Sequence, residues 1–363
     1  MFDERCLQVN ILFICKRRPQ QRDLITRPYG RFFHLPTLLA RKGHKVTVVL
    51  IDFRGVPAED LQRDGVNWIG LDARPMGIPR IYDALKARTS QLRPDWVFGL
   101  SDAWTGVIAW RLAASFGAKL ALDAYDNYES YMPWNLPLHF LWRHSLGKAD
   151  LITVAGPQLA QLLGKHARPG ASAEVIPMSA DPAFIPMDKS SCRESLGLPL
   201  QAPLIGYYGS WAARRGTGSI LDIIDQVRSK IPDARLVLSG NPPENAKTHP
   251  GTISLGYLDD QHLPALVNAI DVACIVTRNS KFGKYSYPVK LCEAIACGTK
   301  VVATDTAPVR WMLSNDESAL VPVDNPKAFS LKILERLESN NVKVNNPQSW
   351  DVSAENLDLL LRD

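Results

Sequence analysis

Short apolar runs alternate with amphipathic stretches along almost the whole chain. Residues 8–15, Gln-Val-Asn-Ile-Leu-Phe-Ile-Cys, are nearly all apolar, which predicts a strand in a parallel sheet covered on both faces. From residue 29 to 42 the pattern turns helical, with Phe32, Phe33, Leu35, Leu38 and Leu39 on one side. Pro36 within it predicts a kink or a second segment, and Gly43 a stop. Further strands are predicted at 45–51, 66–71, 96–100, 119–123, 149–154 and 174–178, with helices around 81–92, 104–116 and 157–166. The stretch 181–201 holds Pro182, Pro186, Pro199 and a polar run, and reads as a connection. Strands are predicted again at 204–208, 235–239, 253–255, 272–276 and in a run ending at Asp305, with helices at 219–229, 263–270, 325–339 and 350–361. This alternation predicts an α/β fold of doubly wound domains. The expected division is a first domain at 1–180, a linker at 181–201, a second domain at 202–340, and a C-terminal helix within 341–363 that crosses back to the first domain.

Composition narrows this picture. A chain of 363 residues exceeds one ordinary core, and 46% hydrophobic with 22% charged residues is typical of soluble globular proteins. No apolar run is long enough for a membrane span, and Met-Phe-Asp-Glu-Arg-Cys does not resemble the start of a secretory leader, so a cytoplasmic location is expected. Cys6, Cys15, Cys192, Cys274, Cys292 and Cys297 are scattered without a Cys-x-x-Cys pair, which argues against zinc and for a reducing compartment. The net charge of +5 is unevenly placed. Lys16, Arg17, Arg18, Arg22, Arg27 and Arg31 face only Asp23 within 16–31, which favours an anionic partner. Nucleic acid is not that partner, because aromatic residues are not interleaved with the basic loop and the rest of the chain is not basic. Tyr125, Tyr128, Tyr131, Trp134, Phe140 and Trp142 crowd one segment interrupted by Pro133 and Pro137. It reads either as a packed loop with one helix, or as an acceptor-pocket wall or membrane-touching face.

Two stretches carry candidate chemistry. In 206–218, Gly-Tyr-Tyr-Gly-Ser-Trp-Ala-Ala-Arg-Arg-Gly-Thr-Gly, a strand runs into a glycine turn, then Arg214 and Arg215, then a helix start. Glycine allows close backbone approach, a helix start offers N–H groups to an anion, and arginine matches phosphate. The pattern is neither a Walker loop nor Gly-x-Gly-x-x-Gly. In 284–305, Tyr285-Ser-Tyr-Pro precedes a helix with Lys290 and Glu293 three apart on its first turn. That spacing alone fits a solvent-exposed ion pair. Beside the first loop it fits a site in which Lys290 meets phosphate and Glu293 accepts sugar hydroxyls. Two anion loops at the C-terminal ends of parallel strands suit a diphosphate joined to a sugar and a ribose.

Over nearly its whole length the sequence resembles retaining GT-B glycosyltransferases of glycosyltransferase family 4. Residues 29–51 resemble the first helix and second strand of the family's acceptor domain. Ala149-Asp-Leu-Ile-Thr-Val-Ala and Val175-Ile-Pro-Met-Ser-Ala-Asp resemble its recurrent stretches before the linker. Gly209 to Gly216 is similar to its phosphate loop, with Arg215 before the second glycine, and Gly256-Tyr-Leu to its base-reading turn. The most specific match is Pro288-Val-Lys-Leu-Cys-Glu-Ala-Ile-Ala-Cys-Gly, which resembles the Pro-x-Lys-Leu-x-Glu branch. Tyr285 stands where the commoner pattern has a second glutamate, Ser210 where it often has arginine, and Tyr125-Asp126 where it often has His-Asp.

The resemblance implies two Rossmann-like domains facing across a cleft. It implies a UDP- or GDP-sugar donor held by Gly209, Ser210, Arg214, Arg215, Asn241, Tyr257, Leu258, Tyr285, Ser286, Tyr287, Lys290, Leu291 and Glu293. Arg215 and Lys290 would stabilise the leaving diphosphate, with Asp126 and Tyr125 orienting sugar or acceptor. Arg17, Arg18, Arg31, Tyr128 and Trp134 would meet a saccharide or lipid-linked saccharide acceptor at the inner membrane surface. No cofactor and no metal are expected, since no metal triad stands out in the sequence. The competing expectations are a sugar-nucleotide-binding protein or partner subunit without turnover, and an epimerase or phosphorylase of similar shape.

Overall fold

A computed structural model describes residues 8–55, 57, 59–74, 76–212, 216–314, 316–339 and 349–362. The chain divides into two units, Met1–Met178 with Gln348–Asp363, and Ser179–Pro347. Among the described residues, no helix is long and apolar enough to cross a membrane.

The first unit is built on β1 Asn10–Lys16, β2 Lys45–Asp52, β3 Asp60–Arg63, β4 Val66–Asp72, β5 Trp96–Gly99, β6 Lys119–Ala124, β7 Leu151–Val154 and β8 Ala173–Val175. Their order in the sheet is β3-β4-β2-β1-β5-β6-β7-β8. The central strands are almost wholly buried, as their unbroken apolar runs require when helices cover both faces. Ile11 lies between Val46 and Trp96 in parallel register. The edge strand β3 pairs antiparallel with β4. Its sequence, Asp-Leu-Gln-Arg, has a single apolar residue and carries little apolar signal, so the patterning did not predict it.

Helix Arg31–Arg41 continues through Pro36 rather than splitting there. The Thr37 hydroxyl donates to the carbonyls one turn back, lying 3.0 Å from both Phe33 and His34. Helix Trp350–Arg362 packs on this helix, with Trp350 stacked on His34 at 5.7 Å. Asp358 there accepts from Arg362 Nε at 2.9 Å and lies 2.8 Å from His44 Nε2, and the Trp96 indole donates to the Leu361 carbonyl at 3.2 Å. Helix Ala103–Phe116 lies close on the sheet because glycines meet there: a Cβ on Gly99 would be 2.6 Å from Gly106 Cα.

The second unit has β9 Leu204–Tyr208, β10 Arg235–Ser239, β11 Thr252–Ser254, β12 Val272–Ile275, β13 Lys300–Thr304 and β14 Leu320–Val321, ordered β11-β10-β9-β12-β13-β14. Their pairings are parallel. Ile205, Tyr207, Ile223, Ile224, Phe329 and Ile333 belong to the core on one face. The stretch 181–201 is more than a connection. It carries helix Lys189–Ser195, which packs on helix His262–Ala269. Arg193 is buried, donating to the Ala269 carbonyl at 2.9 Å and to Asp271 at 2.8 Å, so this segment belongs to the second unit.

Each sheet reverses its winding once. In the first unit the chain passes outward from β1 to β2 on one side and from β5 to β6 and β7 on the other. In the second unit the reversal lies between β9 and β12. At such a point the loops after neighbouring strands diverge and leave a crevice at the C-terminal edge.

Candidate functional site

In the second unit, the strands on one side of the reversal end in glycine turns. Gly209 follows β9 with φ +102°, Gly240 follows β10 with φ +119°, and Gly256 lies beyond β11 with φ +65°. These turns are joined. The Gly209 N–H donates to the Ser239 carbonyl at 3.1 Å, and the Gly240 N–H to the Gly256 carbonyl at 2.8 Å. A Cβ on Gly240 would stand 2.5 Å from the Gly209 carbonyl oxygen, so only glycine fits at this crossing.

Helix Val289–Ala296 brings the second predicted stretch to the same edge. The Lys290 ammonium lies 4.1 Å from the Tyr207 ring centre and 5.9 Å from that of Tyr208. It is also 3.6 Å from where a Gly209 Cβ would be. The ring faces of β9 thus hold a cation beside the glycine turn. The Tyr208 hydroxyl donates to the Lys290 carbonyl at 2.9 Å, fixing the helix start to the strand. Burial first, and then the nearby negative charge of Glu293, push the Tyr208 hydroxyl well above its ordinary value, so it remains a neutral donor. Glu293 is 4% exposed, which excludes a solvent-exposed ion pair with Lys290. Burial also pushes the thiols of Cys274 and Cys292 up to about 12, so these two remain protonated packing groups.

The other residues expected at the donor site fall into different environments. Ser210 is exposed beside Gly209. Arg214 and Arg215 lie outside the described residues. Asn241 is exposed after Gly240, and Tyr257 is exposed with Leu258 half-buried after Gly256. Tyr285 ends the turn Gly283–Tyr285 and is half-buried. Ser286 and Tyr287 are buried, and the Tyr287 ring packs edge-on against Trp311 at 5.8 Å. Leu291 is fully buried and its N–H donates to the Pro288 carbonyl at 2.9 Å, so it serves the core rather than an open contact. Sequence reading missed Arg278, which lies just past Val276 and Thr277 in the loop after β12 at the reversal. Its guanidinium pairs with Asp324 at 3.2 Å beside a small surface depression that Gly216, Thr277 and Thr304 help to line. A charged residue in the short loop after an apolar strand was the available signal.

In the first unit, the C-terminal edge at the reversal carries Lys16, Ser101 and Asp102, none of which was selected as a site residue. Lys16 and Asp102 form an ion pair, and the Lys16 N–H donates to the Ser101 hydroxyl at 3.0 Å. Ser101 has φ +72°, a conformation that is uncommon without glycine. Asp102 caps helix Ala103–Phe116 by accepting from the Trp104 N–H at 2.9 Å. At the end of β6, Asp126 accepts the Tyr131 hydroxyl at 2.7 Å, and the Tyr125 and Tyr131 hydroxyls are 3.2 Å apart. Burial first, then the Asp126 charge, hold both phenols above their ordinary range, so they act as neutral hydrogen-bonding groups.

Three residues expected to meet the acceptor are committed internally. Arg17 is 2% exposed, with its Nε donating to Asp23 at 2.9 Å and a terminal nitrogen to the Pro57 carbonyl at 3.1 Å. Arg31 is equally buried and grips both oxygens of Asp123 through Nε, at 3.0 and 2.8 Å. Tyr128 is buried and donates to the Asp123 carbonyl at 3.1 Å. These side chains hold the edge together. Arg18 lies 3.4 Å from Asp23 and remains partly exposed, and Trp134 is 74% exposed.

Residues 202–339 match the family model described as glycosyl transferases group 1, and residues 31–178 match the glycosyl transferase 4-like domain. The chain is 30% identical over 138 residues to a phosphatidyl-myo-inositol mannosyltransferase of Mycobacterium tuberculosis. That match covers 36% of this chain and only 35% of the relative. The fold is similar to a sucrose-phosphate synthase from Thermosynechococcus elongatus, with TM-score 0.73 and 17% identity over 97% of this chain and 94% of the other. It is also similar to Anabaena HepE in complex with UDP-glucose, with TM-score 0.66 and 12% identity over 97% and 94%. The two parallel-sheet α/β domains are of the GT-B class.

Proposed function

The chain carries two glycosyltransferase domains, at 31–178 and 202–339, and from that premise we propose that it transfers a sugar from a nucleotide diphosphate sugar to a hydroxyl acceptor with retention at the anomeric carbon. The observation that carries this reading is the seat around Gly209. A cation, Lys290, lies beside a glycine turn at the winding reversal of a parallel sheet, with the buried carboxylate of Glu293 on the same helix. A diphosphate needs the first feature and a ribose the second. In the proposed reaction the acceptor oxygen bonds to the anomeric carbon on the face that the diphosphate leaves. The bond from carbon to phosphate oxygen breaks, and the departing diphosphate takes the acceptor proton. Lys290, joined by Arg215, neutralises the charge that grows on the leaving group, so the reaction proceeds without a metal or cofactor. Asp126 and Tyr125 orient the sugar or acceptor.

For the acceptor we propose a saccharide or lipid-linked saccharide of cell-surface polysaccharide or glycolipid assembly, met on the cytoplasmic side of the inner membrane. The lipid substrate in the name of the mycobacterial relative supports this direction. The test is a thermal-shift screen against UDP- and GDP-sugars, followed by turnover with the best donor. Lys290→Met and Glu293→Gln are expected to weaken donor binding about tenfold to a hundredfold, the range for lost hydrogen bonds to charged groups. Unchanged turnover in both variants would sink the assignment. Donor binding without consumption would favour a binding subunit, and nucleotide release without a glycosylated product an epimerase or phosphorylase.

A further inference from the structure

We propose that the segment Trp134–Lys148 is a docking surface for an anionic lipid bilayer. Helix Leu136–Leu146 has two sharply different faces. Leu138, Trp142 and Leu146 are at most 2% exposed. The Trp142 ring packs on Tyr128 at 5.7 Å and fills the space over Gly106, where a Cβ would come within 2.4 Å of it. The helix start is held as well, because the Asn135 side chain accepts from the Leu138 N–H at 3.1 Å. On this anchored element, Trp134, Leu136 and Phe140 are 74%, 68% and 71% exposed. Leu136 and Phe140 are four apart and share the outward face, and Pro133 and Pro137 beside them are also exposed.

Charge decides which partner fits. The outward face continues with exposed Arg143, His144 and Lys148. No aspartate or glutamate occurs between Ser130 and Ala149, and the nearby Glu129 is engaged by Arg143 at 2.7 Å. An apolar wedge followed by the exposed ammonium of Lys148, with the nearest acid, Glu129, neutralised by Arg143, is complementary to an anionic interface. Tryptophan and phenylalanine enter the boundary of headgroups and acyl chains while Lys148 remains at the phosphates. The segment follows directly on the Tyr125, Asp126 and Tyr131 cluster. Docking would therefore bring that edge to the lipid surface. The inference deepens the acceptor reading, but it concerns the surface alone and is measured without donor or acceptor, so either can fail while the other stands.

The experiment is flotation of the full chain with phosphatidylcholine vesicles, with and without phosphatidylglycerol. The protein is expected to float with the anionic vesicles, less so at high salt. A Trp134→Ser, Phe140→Ser double variant should lower the partition coefficient at least about tenfold, because two exposed aromatic groups no longer insert. Its thermal midpoint should be unchanged. Lys148→Glu, which leaves the apolar wedge intact, should weaken binding to anionic vesicles only. Failure to float, or equal flotation of the double variant, would overturn the proposal. So would concentration-dependent self-association in sedimentation that the double variant abolishes, since the patch would then be a contact between copies of the chain.

Discussion

Gly240→Ala tests whether the glycine edge of the second unit is built to seat a ligand. The added Cβ would stand 2.5 Å from the Gly209 carbonyl oxygen. Reaching an ordinary C···O contact of about 3.3 Å requires the two turns to separate by about 0.8 Å. Holding alanine at φ +119° costs about 1–3 kcal/mol, and overpacking against backbone adds about 1–3 kcal/mol. The second unit should therefore lose about 2–6 kcal/mol in equilibrium denaturation. Gly209 would be displaced relative to both Ser239, to which its N–H donates, and Lys290. A displacement near 1 Å lowers turnover by about a hundredfold when it misplaces a bound reactant. Nucleotide affinity by calorimetry and turnover should both fall well beyond the stability effect, at temperatures where the variant is folded. Gly197→Ala is the control. It has φ +62° with nothing near its Cβ position, so it carries only the backbone cost of about 1 kcal/mol. If Gly240→Ala costs no more than Gly197→Ala and leaves nucleotide affinity unchanged, the reasoning is refuted.

Other variants separate architecture from chemistry. Arg31→Met should destabilise the first unit by about 3–5 kcal/mol, because Asp123 would be left buried and uncompensated. Adding Asp123→Leu should recover much of that loss in a double-mutant denaturation cycle, whereas an acceptor-binding role for Arg31 would appear as lost acceptor affinity at unchanged stability. Asp358 is buried, which opposes its charge, but hydrogen bonds from Arg362 and His44 outweigh this and hold its carboxyl below the ordinary value. A depressed carboxylate stabilises the fold above its unfolded value and loses that contribution as the pH falls through it. The stability difference between wild type and Asp358→Asn should therefore be about 1–3 kcal/mol near neutrality and shrink below about pH 4, as read by denaturation across pH. A difference independent of pH would show that the carboxylate charge is not what ties the C-terminal helix to the first unit.

Much of the architecture follows from local pattern. The central strands are continuous apolar runs, and their length and flanks announce them without reference to the rest of the chain. Gly43 and Gly117 end helices where the patterning stops. The exceptions were elements with weak apolar signal, such as strand β3 and helix Lys189–Ser195, which pair or dock only because a neighbour is present. Pro36 shows the same dependence: it forfeits one backbone bond, to the Phe32 carbonyl, and the helix persists because Phe32, Leu35 and Leu39 are buried on its inner face. The Pro-x-Lys-Leu-x-Glu stretch was legible as candidate chemistry because lysine and glutamate are out of place on an otherwise apolar helix start.

Which charges face a ligand was not legible, because it depends on residues far away in the chain. Arg17, Arg18 and Arg31 look alike in a basic loop. Only the folded chain sets Arg31 on Asp123, 92 positions away, and closes Arg17 between Asp23 and the Pro57 carbonyl. The aromatic segment divides in the same way. Trp142 goes inward because Gly106 leaves room for its ring, and the helical phase then turns Phe140 outward. By itself the sequence determined the alternation of strands and helices, the glycine turns, and the presence of Lys290 and Glu293 on one helix, since these depend on repeats of two and 3.6 residues and on backbone freedom at single positions. Tertiary structure alone decided that Lys290 meets Gly209 over the rings of β9, and that Lys16, Ser101 and Asp102 share the other reversal. Strand order is a property of the whole sheet, and no local periodicity encodes it.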